Sequence, residues 1–172
     1  MARDAVVLRL EKVTEQHAEL LYSYISDPHL YKYLEESIPT LIDVQQKFSF
    51  AALEKSPDND TMIWLKWVAI NADNQYVGVV EIGIFNDQYA EIGFMTFSAF
   101  QHRGYAPVYC SLAIAQTQRR FSLLALHASV NVYNLASRKV VEKLGFKLHK
   151  VNHNAELIQG QLTDELIYRL TF

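Results

Sequence analysis

Between Met62 and Phe97 the apolar residues fall into three blocks of strand character, and after Gly104 they recur at helical spacing. No other feature of the chain narrows its fold so far. The blocks are Met62 to Ile70, Tyr76 to Phe85 and Tyr89 to Phe97, all rich in β-branched and aromatic residues. Asn71 to Asn74 and Asn86-Asp87-Gln88 read as turns between them, and links this short join antiparallel neighbours. After Gly104, Tyr105, Val108, Tyr109, Leu112 and Ala113 lie on one helical face, and Leu124 to Val130 reads as the next strand. Strand, helix and strand in that order imply at least one parallel pair, so the sheet is mixed.

The rest of the chain extends this α/β pattern. Val6 to Leu10 reads as a strand, and Thr14 with Glu15 opens a helix carrying Leu20, Leu21, Tyr24 and Ile25. Asp27-Pro28 ends that helix. His29 to Pro39 is aromatic and acidic, with Tyr31, Tyr33, Glu35 and Glu36, and reads as a short helix or an ordered loop. Thr40 and Asp43 have the spacing of a capping box before a helix with Leu41, Val44, Phe48, Ala51 and Ala52 on its apolar stripe. Ser56 to Asp60 is a loop by composition. Asn134 to Leu144 reads as a helix with Ala136, Val140, Val141 and Leu144 inward and Gly145 as its cap. Phe146 to Lys150 and Glu165 to Phe172 read as the last strands, giving the order β-α-α-β-β-β-α-β-α-β-β.

Composition excludes several classes. Of the 172 residues, 50% are hydrophobic and 20% charged, which excludes disorder and suits one domain, 1–172. A net charge of -3 gives no basic nucleic-acid footprint. The lone Cys110 cannot form an internal disulfide and reads as a small buried residue. No apolar run approaches the ~20 residues of a membrane span, and no signal peptide opens the chain, so a cytoplasmic location is expected. Among the histidines, His127 reads as a packed strand residue, and His149 and His153 are too isolated to suggest a metal site.

Chemistry concentrates in two stretches. Gln101-His102-Arg103-Gly104-Tyr105-Ala106 lies between a strand and a helix. A helix N-terminus offers unsatisfied N–H groups and partial positive charge, an anion site suited to a pyrophosphate. Gly104 permits a tight turn, Arg103 adds charge and His102 is placed to face phosphates. The motifs G-x-x-x-x-G-K-[ST] and G-x-G-x-x-G are absent. One strand later comes Asn134-Leu135-Ala136-Ser137-Arg138-Lys139-Val140-Val141-Glu142-Lys143-Leu144-Gly145-Phe146.

Together these stretches resemble the GNAT superfamily of N-acetyltransferases, with its Q/R-x-x-G-x-G/A loop after the fourth strand and its helix opening on Asn and closing on E-K-L-G-F. The resemblance implies the GNAT fold, a mostly antiparallel sheet of about seven strands with helices on both faces, and acetyl-CoA as cosubstrate without a metal. Asn134-x-x-Ser137, the tail Gly160 to Tyr168 and the opening Val7-Leu8-Arg9-Leu10 are similar to the RimJ/RimL-like branch, which acetylates protein N-termini. Many members carry a tyrosine acid seven residues after the Asn, where this chain has Val141.

By that resemblance, Gln101 to Ala106 cradle the pyrophosphate, Met95, Thr96 and Phe97 pair with the pantetheine arm, and Asn134 contacts the cofactor. Pro107 lacks an N–H and removes one neighbouring donor. Glu91 is the candidate base, with Glu81 the second choice, and Ser137 the candidate donor to the departing thiolate. The expected partner is an amine acceptor, a protein N-terminus or a small molecule, with neither nucleic acid nor membrane, acting as monomer or homodimer. Three alternatives stay open: acetylation of a polyamine, amino sugar or antibiotic, favoured by the acidic Tyr31 to Glu36 stretch; a non-catalytic CoA-binding relic; and an unrelated nucleotide-binding domain.

Overall fold

The computed structural model describes residues 5–58, 61–86 and 88–172. The strands are β1 (Leu8–Lys12), β2 (Ile63–Asn71), β3 (Tyr76–Ile84), β4 (Ala90–Thr96), β5 (Ala125–Asn131), β6 (Lys147–Ile158) and β7 (Gln161–Thr171). The helices are α1 (His17–Ile25), α2 (Leu41–Ala52), α3 (Tyr105–Arg120) and α4 (Leu135–Lys143), with 3₁₀ turns at Pro28–Tyr31 and Ser98–Phe100. All seven strands form one sheet in the order β1-β2-β3-β4-β5-β7-β6, antiparallel at every pair except β4 with β5. This is a mixed α/β fold, in the element order that the hydrophobic periods imply.

Local chemistry sets most boundaries. Thr40 accepts from the Asp43 N–H while Asp43 accepts from the Thr40 N–H, closing the capping box that starts α2. Thr14 does not cap α1: its N–H and hydroxyl both go to His17 Nδ1, and the helix begins after Gln16. The imidazole three residues on engages the hydroxyl that would otherwise cap the helix. Gly145, at φ 93, ends α4, and the Gly145 and Phe146 N–H groups return to the Glu142 and Val141 carbonyls. The last two strands are longer than their apolar runs suggest, because Gln159 and Gly160, both at positive φ, form a two-residue hairpin turn. Asp87 in one expected turn, and residues 59 and 60 in the loop before β2, lie outside the described residues.

The core fills both sides of the central strands. Val68, Val80 and Ile82 are fully buried, and β2 is buried along nearly its whole length. The register puts Lys66, Glu81 and Gly93 in one row across β2, β3 and β4. That face meets α1 and α2, where Phe97 stacks on Tyr24 of α1 with ring centroids 5.0 Å apart. The opposite face meets α3, where Thr96 and Tyr109 share a hydroxyl hydrogen bond of 2.7 Å. On α3 the buried face runs through Tyr109, Cys110, Ala113, Ile114 and Thr117, rotated from the expected stripe. On α4 only Val141 is buried and Ala136 faces solvent, since this short helix touches the sheet along a narrow line.

Candidate active site

The parallel pair does not run the length of its strands. β4 and β5 register only at Glu91 and His127, whereas β5 pairs with β7 from Ala125 to Asn131. Beyond Glu91 the edge of β4 that faces β5 has no ladder partner among the described residues. A fork therefore opens toward the C-terminal ends of the two strands. Exposed strand N–H and C=O groups need partners, and an extended ligand carrying amides supplies them.

At the mouth of the fork stands the loop before α3. Gln101 Nε2 donates to the Thr96 carbonyl at 3.1 Å and ties the loop to the end of β4. His102 (φ 61) and Gly104 (φ 79) take left-handed conformations. A Cβ on Gly104 would meet nothing within 4 Å, so glycine is favoured there by backbone angle alone. The backbone N–H groups of residues 102 to 106 have no partner among the described residues. Successive free amides at a helix N-terminus form an anion cradle. The Arg103 guanidinium lies 5.5 Å from the centre of the Phe100 ring, which holds it beside this cradle. Tyr105 and Ala106 are half-buried in the first turn of α3. Amides for a pyrophosphate and an open strand edge for a pantetheine arm fit coenzyme A.

The other expected cofactor residues divide. Phe97 is fully buried, and its N–H and C=O are used by Val77 and Phe100. Met95, paired with Val79 two residues back in the ladder, turns its backbone to β3 as well, so the β4 edge open to a ligand is that of Phe94 and Thr96. Asn134 caps α4 by accepting from the Ser137 N–H at 3.1 Å. The half-buried Ser137 hydroxyl makes no hydrogen bond among the described residues, so it does not cap its own helix.

Glu91 sits at the root of the fork, half-buried, and accepts a hydrogen bond from the Tyr89 hydroxyl. Burial, together with the neighbouring Glu91 carboxylate, pushes the Tyr89 phenol up to about 12, so it stays a donor at neutral pH. The Tyr89 ring rests against His127, centroids 4.8 Å apart. His127 is buried, and burial lowers its imidazole below the usual range, which keeps it neutral. His149 lies 6.0 Å from His127, and His153 pairs with Asp164 at 3.0 Å. His102 has no partner among the described residues and is exposed in the loop.

Beside the fork, on the α1/α2 face, lies a pocket of about 300 Å³ lined by Ile25, Tyr31, Phe48, Trp64, Glu81 and Gly93 among others. Gly93 is the next same-face position along β4 from Glu91, so the pocket adjoins the root of the fork. Glu81 differs from Glu91 in its setting, because the Lys66 ammonium lies 2.5 Å from its carboxylate. Lys66, which sequence reasoning missed, reaches Glu81 across a strand pair 15 residues away in the chain, and no local motif marks it. A second acidic group forms in the fold, where Glu156 and Glu165, which sequence reasoning missed, join the Glu35 of the acidic stretch. Glu35 accepts from the Leu157 N–H, Glu156 from Asn131, and Glu165 from Asn152. Burial pushes the Glu156 carboxyl up, aided by Glu165 and Glu35 nearby. Among the described residues no group of three or more His, Cys, Asp or Glu is arranged to hold a metal ion. Cys110 is buried, and burial pushes its thiol far up.

Comparison with known proteins agrees with this geometry. Residues 7–147 match the family described as acetyltransferase (GNAT) domain. No curated protein matches the sequence. Among solved structures, the chain is similar to a spermidine N-acetyltransferase from Vibrio cholerae in complex with CoA and spermine, with TM-score 0.81, 17% identity and 95% of each chain covered. It is similar to RimL, a ribosomal L7/L12 alpha-N-protein acetyltransferase in complex with coenzyme A, with TM-score 0.83, 18% identity, and 99% of this chain and 97% of that one covered. It is also similar to an aminoglycoside acetyltransferase in complex with coenzyme A, with TM-score 0.73, 14% identity, and 96% and 95% covered.

Proposed function

The chain belongs to the GNAT acetyltransferase family and is an acetyl-CoA-dependent N-acetyltransferase, and from that premise we propose that its acceptor is the α-amino group of a protein N-terminus. The observation that carries this choice is the pocket. Its walls are largely apolar and aromatic, and its floor carboxylate Glu81 is already paired with Lys66. Such a pocket suits a peptide's first side chains better than a second ammonium group. The RimJ/RimL-like features Asn134-x-x-Ser137 and the tail Gly160 to Tyr168 support the same reading, as does the likeness to RimL. The reading takes residues 1–172 as one N-acetyltransferase domain working in the cytoplasm, supported by the single sheet that all seven strands share. No described helix is long and apolar enough to cross a membrane.

In this reading acetyl-CoA supplies an activated acyl group as a thioester. The amides of residues 102 to 106 bind its pyrophosphate, the open β4 edge at Phe94 and Thr96 pairs with its pantetheine arm alongside Met95, and the side-chain amide of Asn134, which caps α4 through its oxygen, keeps its NH₂ for the cofactor. Glu91 takes the proton that the attacking amine must shed, and the Tyr89 hydroxyl holds that carboxylate in place. The carbon–nitrogen bond forms, the carbon–sulfur bond breaks, and Ser137 donates to the departing thiolate. A protein α-amino group has a pKa near 7.7–8.0, so roughly a tenth is neutral at pH 7, whereas a lysine near 10.4 is almost wholly charged. An α-amine therefore demands less of Glu91 than a side-chain or polyamine nitrogen does.

A small polycationic acceptor is the second reading. Glu35, Glu156 and Glu165 favour it, because they concentrate negative charge beside the pocket rim formed by Leu34 and Glu36. The test is a comparison of kcat/KM for unblocked peptides and for polyamines with acetyl-CoA. We expect the peptides to be preferred, and a preference for polyamines would overturn the reading.

A further inference from the structure

We propose that Lys66 is a specificity-determining residue: its side chain fills the aromatic and acidic corner of the pocket from within the chain, so that a second cation on the acceptor is turned away. The inference rests on the reading of this pocket as the acceptor site. The corner has what an external alkylammonium group seeks, a carboxylate and two ring faces. Lys66 takes all three. Its Nζ lies 2.5 Å from Glu81 Oε2, 5.5 Å from the Phe48 ring centre and 5.3 Å from that of Trp64.

The arrangement is not that of an ordinary surface lysine. Only 11% of the Lys66 side chain is exposed, although a strand lysine usually extends its charge into water. Across β4, Gly93 leaves Glu81 uncovered. A Cβ at Gly93 would stand 3.4 Å from Glu81 Cγ and Oε1, in close contact, and any longer side chain would screen the carboxylate from the fork. Glu81 thus lies open on the side from which an acceptor reaches the thioester, with its charge already matched. The charged lining residues balance as a whole, Lys47 and Lys66 against Glu36 and Glu81. A monoamine or an α-amine with an apolar neighbour meets no repulsion here, whereas a diamine brings a second charge to a corner that holds one.

Replacing Lys66 with Met keeps the stem and removes the charge, leaving Glu81 and both rings for an external cation. The experiment titrates diaminobutane and butylamine calorimetrically into wild type, K66M and K66R with coenzyme A present. The same proteins are then assayed for acetylation of both amines and of an unblocked peptide. K66M should bind diaminobutane about tenfold tighter than wild type, the scale of one charge-assisted hydrogen bond, with a smaller change for butylamine. K66R should keep the wild-type ratio of the two amines. Diamine affinity unchanged in a K66M whose thermal unfolding remains cooperative overturns the proposal, and K66Q is judged by the same criterion if K66M does not fold. The binding changes as stated, with neither amine nor the peptide acetylated by any of the proteins, would support the role of Lys66 and overturn the acceptor-site reading instead.

Discussion

Glu81 registers with Gly93 and Glu91 with Gly83, so the two candidate carboxylates are diagonal neighbours on one face of β3 and β4. Their partners separate them. Glu81 is held by an ammonium 2.5 Å away, which occupies a carboxylate oxygen that an attacking amine would need. Glu91 accepts from a phenol that stays protonated. We therefore expect E91Q to lower kcat by about 10²–10⁴, the usual worth of a positioned base, and E81Q to lower it far less. Steady-state kinetics checks both, and a larger loss in E81Q would reverse the assignment. Both carboxylates were legible in the sequence because alternation along a strand puts Glu91 with Gly93 and Met95. Their difference was not, since Lys66 reaches Glu81 only once β2 and β3 pair.

At the scale of elements, helix caps that close on their own end were read correctly, and signals with a competing partner or an unusual turn residue were not. The Thr40–Asp43 box and the Gly145 cap stand as expected, because each satisfies its own helix end. Thr14 was misread because His17 competes for its hydroxyl. The β6–β7 hairpin outran its apolar runs because β6 is an edge strand with mostly exposed side chains, and Gln159 is not a residue that announces a tight turn. Glu54, just past α2, joins three elements: it accepts from Arg120 at the end of α3 through both oxygens and from Lys12 of β1. The Arg120 hydrogen bond, with Lys12, holds its carboxyl down at about 2 against an ordinary 4.5. A depressed value means that the clasp contributes stability above about pH 4.5 and that this is lost as pH falls toward about 2. E54Q should therefore unfold at a lower temperature than wild type at neutral pH, with the gap closing across that window. A gap independent of pH in thermal melts would show that the charge contributes nothing.

For the whole molecule, the order of hydrophobic periods implied the fold, including one parallel pair across the α3 crossover. What it could not give was the length of that pair. That β4 and β5 part after Glu91 and His127 is a property of the assembled sheet and has no local signature in the sequence. The loop motif marked the mouth of the fork, yet the pocket beside it gathers residues from α1, α2 and three strands, and only the assembled sheet brings them together. The account requires that the fork deliver acetyl groups to an α-amine rather than to a side-chain or polyamine nitrogen. The most direct measurement is acetylation of one unblocked peptide that also carries an internal lysine, with the modified nitrogen located by fragment mass spectrometry. The account predicts a single acetyl group on the N-terminal nitrogen, and acetylation of the lysine, with the α-amine left free, would contradict it.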